Sequence, residues 1–254
     1  MKPSGNTILV TGGGSGIGAA LAQRFHDQGN TVIIAGRRRQ ALDEARAGRD
    51  NMHAMTLDIE SPSAIAAFAK QVIEQHPELN VLINNAGIMR SEVLDTRRDL
   101  ADAEETITTN LLGPIRMIDA LIDHLIARSD ATIVNVSSGL AFVPLFTAPT
   151  YCATKAAIHS YTLTMREALK GKVEIVELVP PAVQTGLTPG QETRPGYQPL
   201  AEFIDEVMEQ FATQPTPAEI LVQRVHFLRF AEAEGRVEQA FATLSDMAAK
   251  ARKA

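Results

Sequence analysis

Residues 7–18 read Thr-Ile-Leu-Val-Thr-Gly-Gly-Gly-Ser-Gly-Ile-Gly: a short β-branched run breaks into glycines and then opens a helical pattern. Thr7–Thr11 has the composition of a strand, and the pattern from Gly16 to Gln28 is that of a helix stopped by Gly29. Glycines between a strand and a helix allow a tight turn and let a pyrophosphate come close to the backbone. The helix N-terminus then stabilises the anion. A flexible turn would have the same composition. Position decides between the two readings, because a glycine loop directly after the first strand of a βαβ unit is where a dinucleotide binds.

The rest of the chain repeats this unit. Thr31–Ala35, His53–Leu57, Val81–Ile83, Thr132–Val136 and Val173–Val179 also read as strands, making six. Several are apolar without alternation, as expected of strands covered on both faces. Between them lie helical patterns. Ser61-Pro62 supplies an N-cap and first-turn proline for Ser63–Gln75, and Pro77 follows its end. The alternation predicts an α/β fold, a single Rossmann-type domain over residues 1–254 with a doubly wound parallel sheet and right-handed crossovers. After Val179 the pattern changes. Pro180–Gln198 is a long Pro, Gly and Thr-rich loop, and the stretch of about 180–215 reads as a lid over a substrate site. Pro199–Gln214, Ala218–Glu234 and Val237–Ala254 read as helices, with no seventh strand.

Composition limits the function. Among 254 residues, 45% are hydrophobic and 21% charged, enough apolar surface for a packed core rather than disorder. The net charge of −6 argues against nucleic acid as a partner. Cys152 is the only cysteine, so neither an internal disulfide nor a cysteine-based metal cluster can form. The six histidines lack metal-ligand spacing. No apolar run approaches a membrane span and the start resembles no signal peptide, so the expected setting is cytoplasmic, with no membrane partner.

One segment runs against the acidic average. Residues 31–50 carry five arginines against three carboxylates. An NAD site places a carboxylate at the end of the second strand to bind the adenosine ribose. Here Gly36 stands there, followed by Arg37-Arg38-Arg39. Three cations entering a helix N-terminus oppose its dipole unless an anion is near. Guanidinium groups bind phosphate well, so Arg37 and Arg38 point to a 2′-phosphate and to NADP(H) rather than NAD(H). Asp58, after the third strand, could accept a hydrogen bond from the adenine amine or simply cap its own turn.

Tyr151-Cys-Ala-Thr-Lys155 lies in an alanine-rich helical segment, where positions i and i+4 share a face. Three tyrosines and seven lysines in 254 residues would give roughly 0.08 such spacings by chance. An ammonium beside a phenol favours phenolate, so Lys155 is expected to lower the Tyr151 pKa and make it a general acid. Ser138 ends the Thr132–Val136 strand, on the side where parallel sheets bind ligands.

With these motifs in order, the sequence resembles the short-chain dehydrogenase/reductase family, the branch with a TGxxxGxG loop and a YxxxK pair. Thr11–Gly18, Asn84-Asn85-Ala86-Gly87, Asn110 in ITTNLLG, Ser138 in VNVSS, Tyr151 with Lys155, and Pro180–Thr185 (PPAVQT) carry the resemblance across about residues 6–186. PPAVQTGLTPG and the helical tail further resemble bacterial DltE-type oxidoreductases. The resemblance implies hydride transfer between NADP(H) and a small carbonyl or secondary alcohol. Tyr151 would act as general acid/base, Ser138 would hold the substrate oxygen, and Lys155 would tune Tyr151 and bind the nicotinamide ribose. Asn110 would position a water in a proton relay. Cofactor contacts would come from Gly12, Gly14, Ser15, Gly16, Ile17, Gly18, Arg37, Arg38, Asp58, Ile59, Asn85, Ala86, Gly87, Tyr151, Lys155, Pro181, Val183 and Thr185. Pro180-Pro181 replaces the usual Pro-Gly after the sixth strand. Many relatives build a tetramer with a seventh strand. Its absence here favours a homodimer packed through helices near Asn110–Arg128 and Tyr151–Lys170.

Met89, Leu140, Phe142, Val143, Leu145 and Tyr197 are pocket candidates by position, and their apolar character suggests an apolar substrate. A non-catalytic NADP(H) sensor is the competing reading, which the complete Asn110/Ser138/Tyr151/Lys155 set disfavours.

Overall fold

The computed structural model describes residues 1–251. Its centre is a seven-stranded, wholly parallel sheet in the order β3-β2-β1-β4-β5-β6-β7. The strands are β1 Thr7–Thr11, β2 Thr31–Gly36, β3 Met52–Thr56, β4 Leu79–Asn84, β5 Thr132–Val136, β6 Glu174–Val179 and β7 Glu219–Leu221. The helices are α1 Gly16–Asp27, α2 Arg39–Arg46, α3 Pro62–Gln75, α4 Ala101–Ile107, α5 Gly113–Ile126, α6 Pro149–Ala168, α7 Leu200–Ala212, α8 His226–Arg229 and α9 Val237–Ala251.

Successive strand side chains point to opposite faces, and here both directions are apolar. Ile8, Val10, Val32, Ile34, Ile83 and Val134 face α1 and α7, packing on Leu21, Phe25, Phe203 and Phe211. The Phe25 and Phe211 rings meet edge-on, with centroids 5.3 Å apart. Leu9, Ile33, Leu82, Ile133 and Ile175 face the other way, onto Ile65, Phe68 and Val72 of α3 and Met117, Leu121 and Leu125 of α5. Ser61 caps α3 as expected, its hydroxyl accepting from the Ala64 N–H at 3.2 Å.

Strand order reverses between β1 and β4. The crevice beyond their carboxyl ends is where a doubly wound sheet accommodates ligands.

The chain differs from the sequence expectation at its C-terminal end. Ala218–Glu234 is not one helix: Glu219–Leu221 forms a seventh strand, followed by a short 3₁₀ turn and the four-residue α8. The open edge of β6 is the reason. Glu177↔Glu219, Leu178↔Ile220 and Val179↔Leu221 pair in parallel, burying Ile220 completely. Three residues are too few for periodicity to show. The case against a tetramer that rested on a missing seventh strand therefore falls. The helix expected over Val237–Ala254 is present as α9, and positions 252–254 lie outside the described residues.

Candidate active site

The crevice beyond β1 and β4 opens into a cavity of about 620 Å³. Its floor is the turn Gly12–Ser15, which has no room for a side chain at Gly12 or Gly13. Gly12 has φ +67°, and a Cβ there would lie 2.8 Å from the Ala86 Cα. At Gly18 a Cβ would lie 2.5 Å from the Gly12 carbonyl oxygen. The two turns after β1 and β4 are locked together by Thr11, whose hydroxyl accepts from the Asn85 and Ala86 N–H groups, each at 3.1 Å. Asn85 Nδ2 returns a hydrogen bond to the Thr11 carbonyl at 2.9 Å.

At one end of the cavity stand the arginines. Arg37 is engaged by carboxylates, 2.8 Å from Glu60 and 3.9 Å from Glu105, and Arg39 pairs with Asp43. Arg38 has no carboxylate within ion-pair distance among the described residues. It reaches the Ser15 hydroxyl at 3.4 Å, against the glycine loop. Asp58 lies outside the cavity lining; its carboxylate accepts the Glu60 N–H at 3.1 Å and so caps its own turn. Leu57, Ile59 and Glu60 line the wall instead.

At the other end, α6 presents Tyr151 and Lys155 on one face, both buried. Lys155 Nζ donates to the Val136 carbonyl at 2.8 Å and lies 5.6 Å from the Tyr151 ring centroid. Ser138 leads the turn after β5, its hydroxyl accepting from the Leu140 N–H at 3.1 Å. That turn is wedged from behind, since a Cβ on Gly139 would lie 2.8 Å from Leu228 and 3.0 Å from Val225. Ser137 also lines the cavity, and its hydroxyl is buried with no hydrogen-bond partner among the described residues.

Burial, not the ammonium, dominates the Tyr151 pKa, which is pushed up to about 12 against the opposing hydrogen bond with Ser138. The expected lowering by Lys155 is therefore not found. Desolvation instead pulls Lys155 down to about 8, opposed by the carboxylate of Glu177.

Asn110 lies in a π-helical segment, Thr108–Leu112, which joins α4 to α5. Such wide turns are frequent at functional sites. The Asn110 carboxamide accepts from the Ile88 N–H and donates to the Ile88 carbonyl, both at 2.8 Å, with a longer contact to Thr154 Oγ1. It fixes the loop after β4.

Of the expected cofactor contacts, every residue except Asp58 lines this one cavity, and so does Ser138. Of the expected pocket residues, Met89, Leu140 and Leu145 pack beside Tyr151 with Ala148 and Cys152. None of the six is among the residues lining the cavity, and the other three do not join this cluster either. Phe142 meets His159 edge-on beneath Arg229, Val143 joins Leu228, Ala231 and Ala240, and Tyr197 packs under Arg194. Glu60, Arg90 and Leu187 also line the cavity without a motif to mark them in the sequence.

Residues 6–195 match the family described as short chain dehydrogenase. This chain belongs to that family. Among short-chain dehydrogenases, it is 38% identical over 236 residues to the "Uncharacterized oxidoreductase DltE" of Bacillus subtilis, covering 90% of this chain and 92% of that protein. It is 29% identical to the NADP-dependent 3-hydroxy acid dehydrogenase YdfG of Escherichia coli O6:H1, covering 70% and 73%. The structure is similar to the closed form of a serine dehydrogenase complexed with NADP+, at TM-score 0.74 and 26% identity over 84% of this chain and 90% of that one.

Proposed function

We propose that this short-chain dehydrogenase is a cytoplasmic NADP(H)-dependent carbonyl reductase, reversible as an alcohol dehydrogenase, working as one domain with residues 180–215 as its lid. One observation carries the reading: the glycine turn, Arg38, Ser138, Tyr151 and Lys155 all line a single cavity. Further support comes from the serine dehydrogenase described with NADP+ and the NADP-dependent relative.

The cradle fits a dinucleotide, because two close backbone approaches exclude any side chain and leave room for a pyrophosphate. When bound, the cofactor supplies or accepts the hydride. Tyr151 donates its phenolic proton to the substrate oxygen as that oxygen gains charge. The Ser138 hydroxyl holds the oxygen and stabilises the developing anion. Lys155, anchored on Val136, keeps a positive charge beside the phenol. Asn110 holds the Ile88 loop, which borders the cavity, and so shapes the substrate side. Met89, Leu140 and Leu145 supply an apolar wall beside Tyr151, which suits a hydrophobic ketone or secondary alcohol. The groove lined by Ile115, Ile118 and Ile122 of α5, Tyr161 and Met165 of α6 and Leu169 just past its end is the face for a homodimer.

A panel of aldehydes, ketones, sugars and hydroxy acids with NADPH and NADP+ tests the substrate class, and a charged compound as best substrate overturns it. Tyr151→Phe should abolish turnover with NADPH affinity within about twofold of the parent. Unchanged turnover overturns the mechanism and favours a cofactor sensor.

A further inference from the structure

Four polar side chains stand in register across neighbouring strands of the sheet: Asn84 on β4, Asn135 on β5, Glu177 on β6 and Glu219 on β7. Asn84 donates to Asn135 at 3.0 Å, and Asn135 donates to Thr162 of α6 at 2.9 Å. Glu177 is wholly buried and lies 2.8 Å from Nδ1 of His159, also on α6. Glu219 is held by both arms of the Arg229 guanidinium, at 2.8 and 2.9 Å. The ligand atoms of His159, Glu177 and Glu219 lie within 4.8 Å of one another, a spacing that would suit a cation. Arg229 already occupies both oxygens of Glu219, so the cluster is not read as a metal site.

The charges around Glu177 are unevenly matched. On β7 and α8, Glu219 and Arg229 neutralise each other. On α6, Arg166 approaches Glu177 only to 3.9 Å, its short hydrogen bond going to the Ala218 carbonyl at 2.6 Å. The remaining groups of α6 on this side are His159 and, one helical turn before it, Lys155. Lys155 is tied to Val136, whose partner across the sheet is Leu178, the neighbour of Glu177. A buried carboxylate, met by His159 at 2.8 Å and by Arg166 only at 3.9 Å, thus sits beside the strand pair that anchors the catalytic lysine. In the low-dielectric interior of the sheet its field is weakly screened.

We propose that Glu177 is a positioning residue for the active site: its buried carboxylate, oriented by His159, holds the Lys155 side chain in its charged form from the face of the sheet on which α6 packs. The carboxylate touches neither substrate nor cofactor and acts through Lys155. The inference rests on the reductase reading for its consequence, though not for its test.

The experiment is lysine titration by NMR on protein labelled with ¹³Cε-lysine, the Lys155 signal being assigned with Lys155→Arg. The Lys155 midpoint should fall by about one pH unit or more in Glu177→Gln. In Glu177→Asp, which keeps the charge, it should remain near the parent's. Arg229→Gln perturbs the cluster in the opposite direction, leaving Glu219 uncompensated, and should raise the midpoint. This variant keeps the proposal falsifiable if Glu177→Gln does not fold. An unmoved midpoint in Glu177→Gln, a fall in Glu177→Asp as large as in Glu177→Gln, or an unmoved or lowered midpoint in Arg229→Gln overturns the proposal. In turnover, the alkaline decline of carbonyl reduction should move to lower pH in Glu177→Gln by the same amount. Full turnover in Tyr151→Phe would instead remove the reductase reading and leave the lysine titration standing.

Discussion

Arg38→Ala is the substitution that separates the two nicotinamide cofactors most cleanly. Arg37 and Arg38 both line the cavity, but Arg37 is already paired with Glu60 at 2.8 Å, whereas Arg38 meets only the Ser15 hydroxyl. A hydrogen bond to a charged group contributes about 1.5–3 kcal/mol. Arg38 is exposed, so water and salt bring its contribution toward the lower figure. About 1.5 kcal/mol corresponds to roughly tenfold in Kd. Arg38→Ala should therefore weaken NADPH about tenfold and leave NADH within about twofold. Arg37→Ala should cost less, and for a different reason: it releases the Glu60 carboxylate toward the phosphate. The double variant Arg37→Ala/Glu60→Gln should recover affinity over Arg37→Ala alone. The chain contains no tryptophan, so the reduced cofactor's own fluorescence can be titrated without that background. Equal losses for NADPH and NADH in Arg38→Ala, or a larger loss in Arg37→Ala than in Arg38→Ala, would refute the assignment.

The two central side chains also set a pH signature. With Tyr151 pushed up to about 12 and Lys155 drawn down to about 8, both hold their protons at neutral pH. Carbonyl reduction, measured as kcat/KM, should be level below pH 8 and decline above it as Lys155 loses its charge. Alcohol oxidation, which needs Tyr151 without its proton, should be favoured only toward much higher pH, since Tyr151 is pushed up to about 12; reduction that climbs from pH 7 to 9 contradicts this. Gly18→Ala drives a methyl group to within 2.5 Å of the Gly12 carbonyl, where neither backbone can yield cheaply. Overpacking of this kind costs about 1–3 kcal/mol, and should appear as a lower Tm together with lost NADPH binding. An unchanged Tm with normal binding would show that the glycine turn is not close-packed.

How legible these features were in the sequence depends on how local their causes are. β1, β2 and β4 to β6 are buried on both faces and read as largely apolar runs bounded by turn residues, while the edge strand β3 is only partly buried yet still readable from its place between helical patterns. The glycine turn was equally plain, because its backbone conformation and its close approaches demand glycine itself. β7 was not readable: Glu-Ile-Leu acquires its identity from the free edge of β6, which no local pattern announces. The same holds for Phe142. It comes four residues after Ser138, yet the short 3₁₀ turn between them directs its ring to His159 rather than to the cavity. Nor could sequence spacing alone weigh burial against the Lys155 charge at Tyr151, since desolvation depends on every neighbour at once. The pairing of Arg37 with Glu60 likewise joins residues 23 apart in sequence.

The wedge of Val225 and Leu228 behind Gly139 bears on how freely this chain could be recombined with its relatives. The family match ends at residue 195, as though the remainder of the chain were an interchangeable appendix. Yet the segment after β7 forms the back wall of the turn that carries Ser138, and Val143, on the far side of that turn, packs against Leu228, Ala231 and Ala240. A chimera joined near residue 195 would inherit the catalytic motifs whole and lose the surface that seats one of them. The modular unit in this protein is larger than the motif-bearing stretch. A productive crossover would have to carry β7 and α8 along with the serine they support.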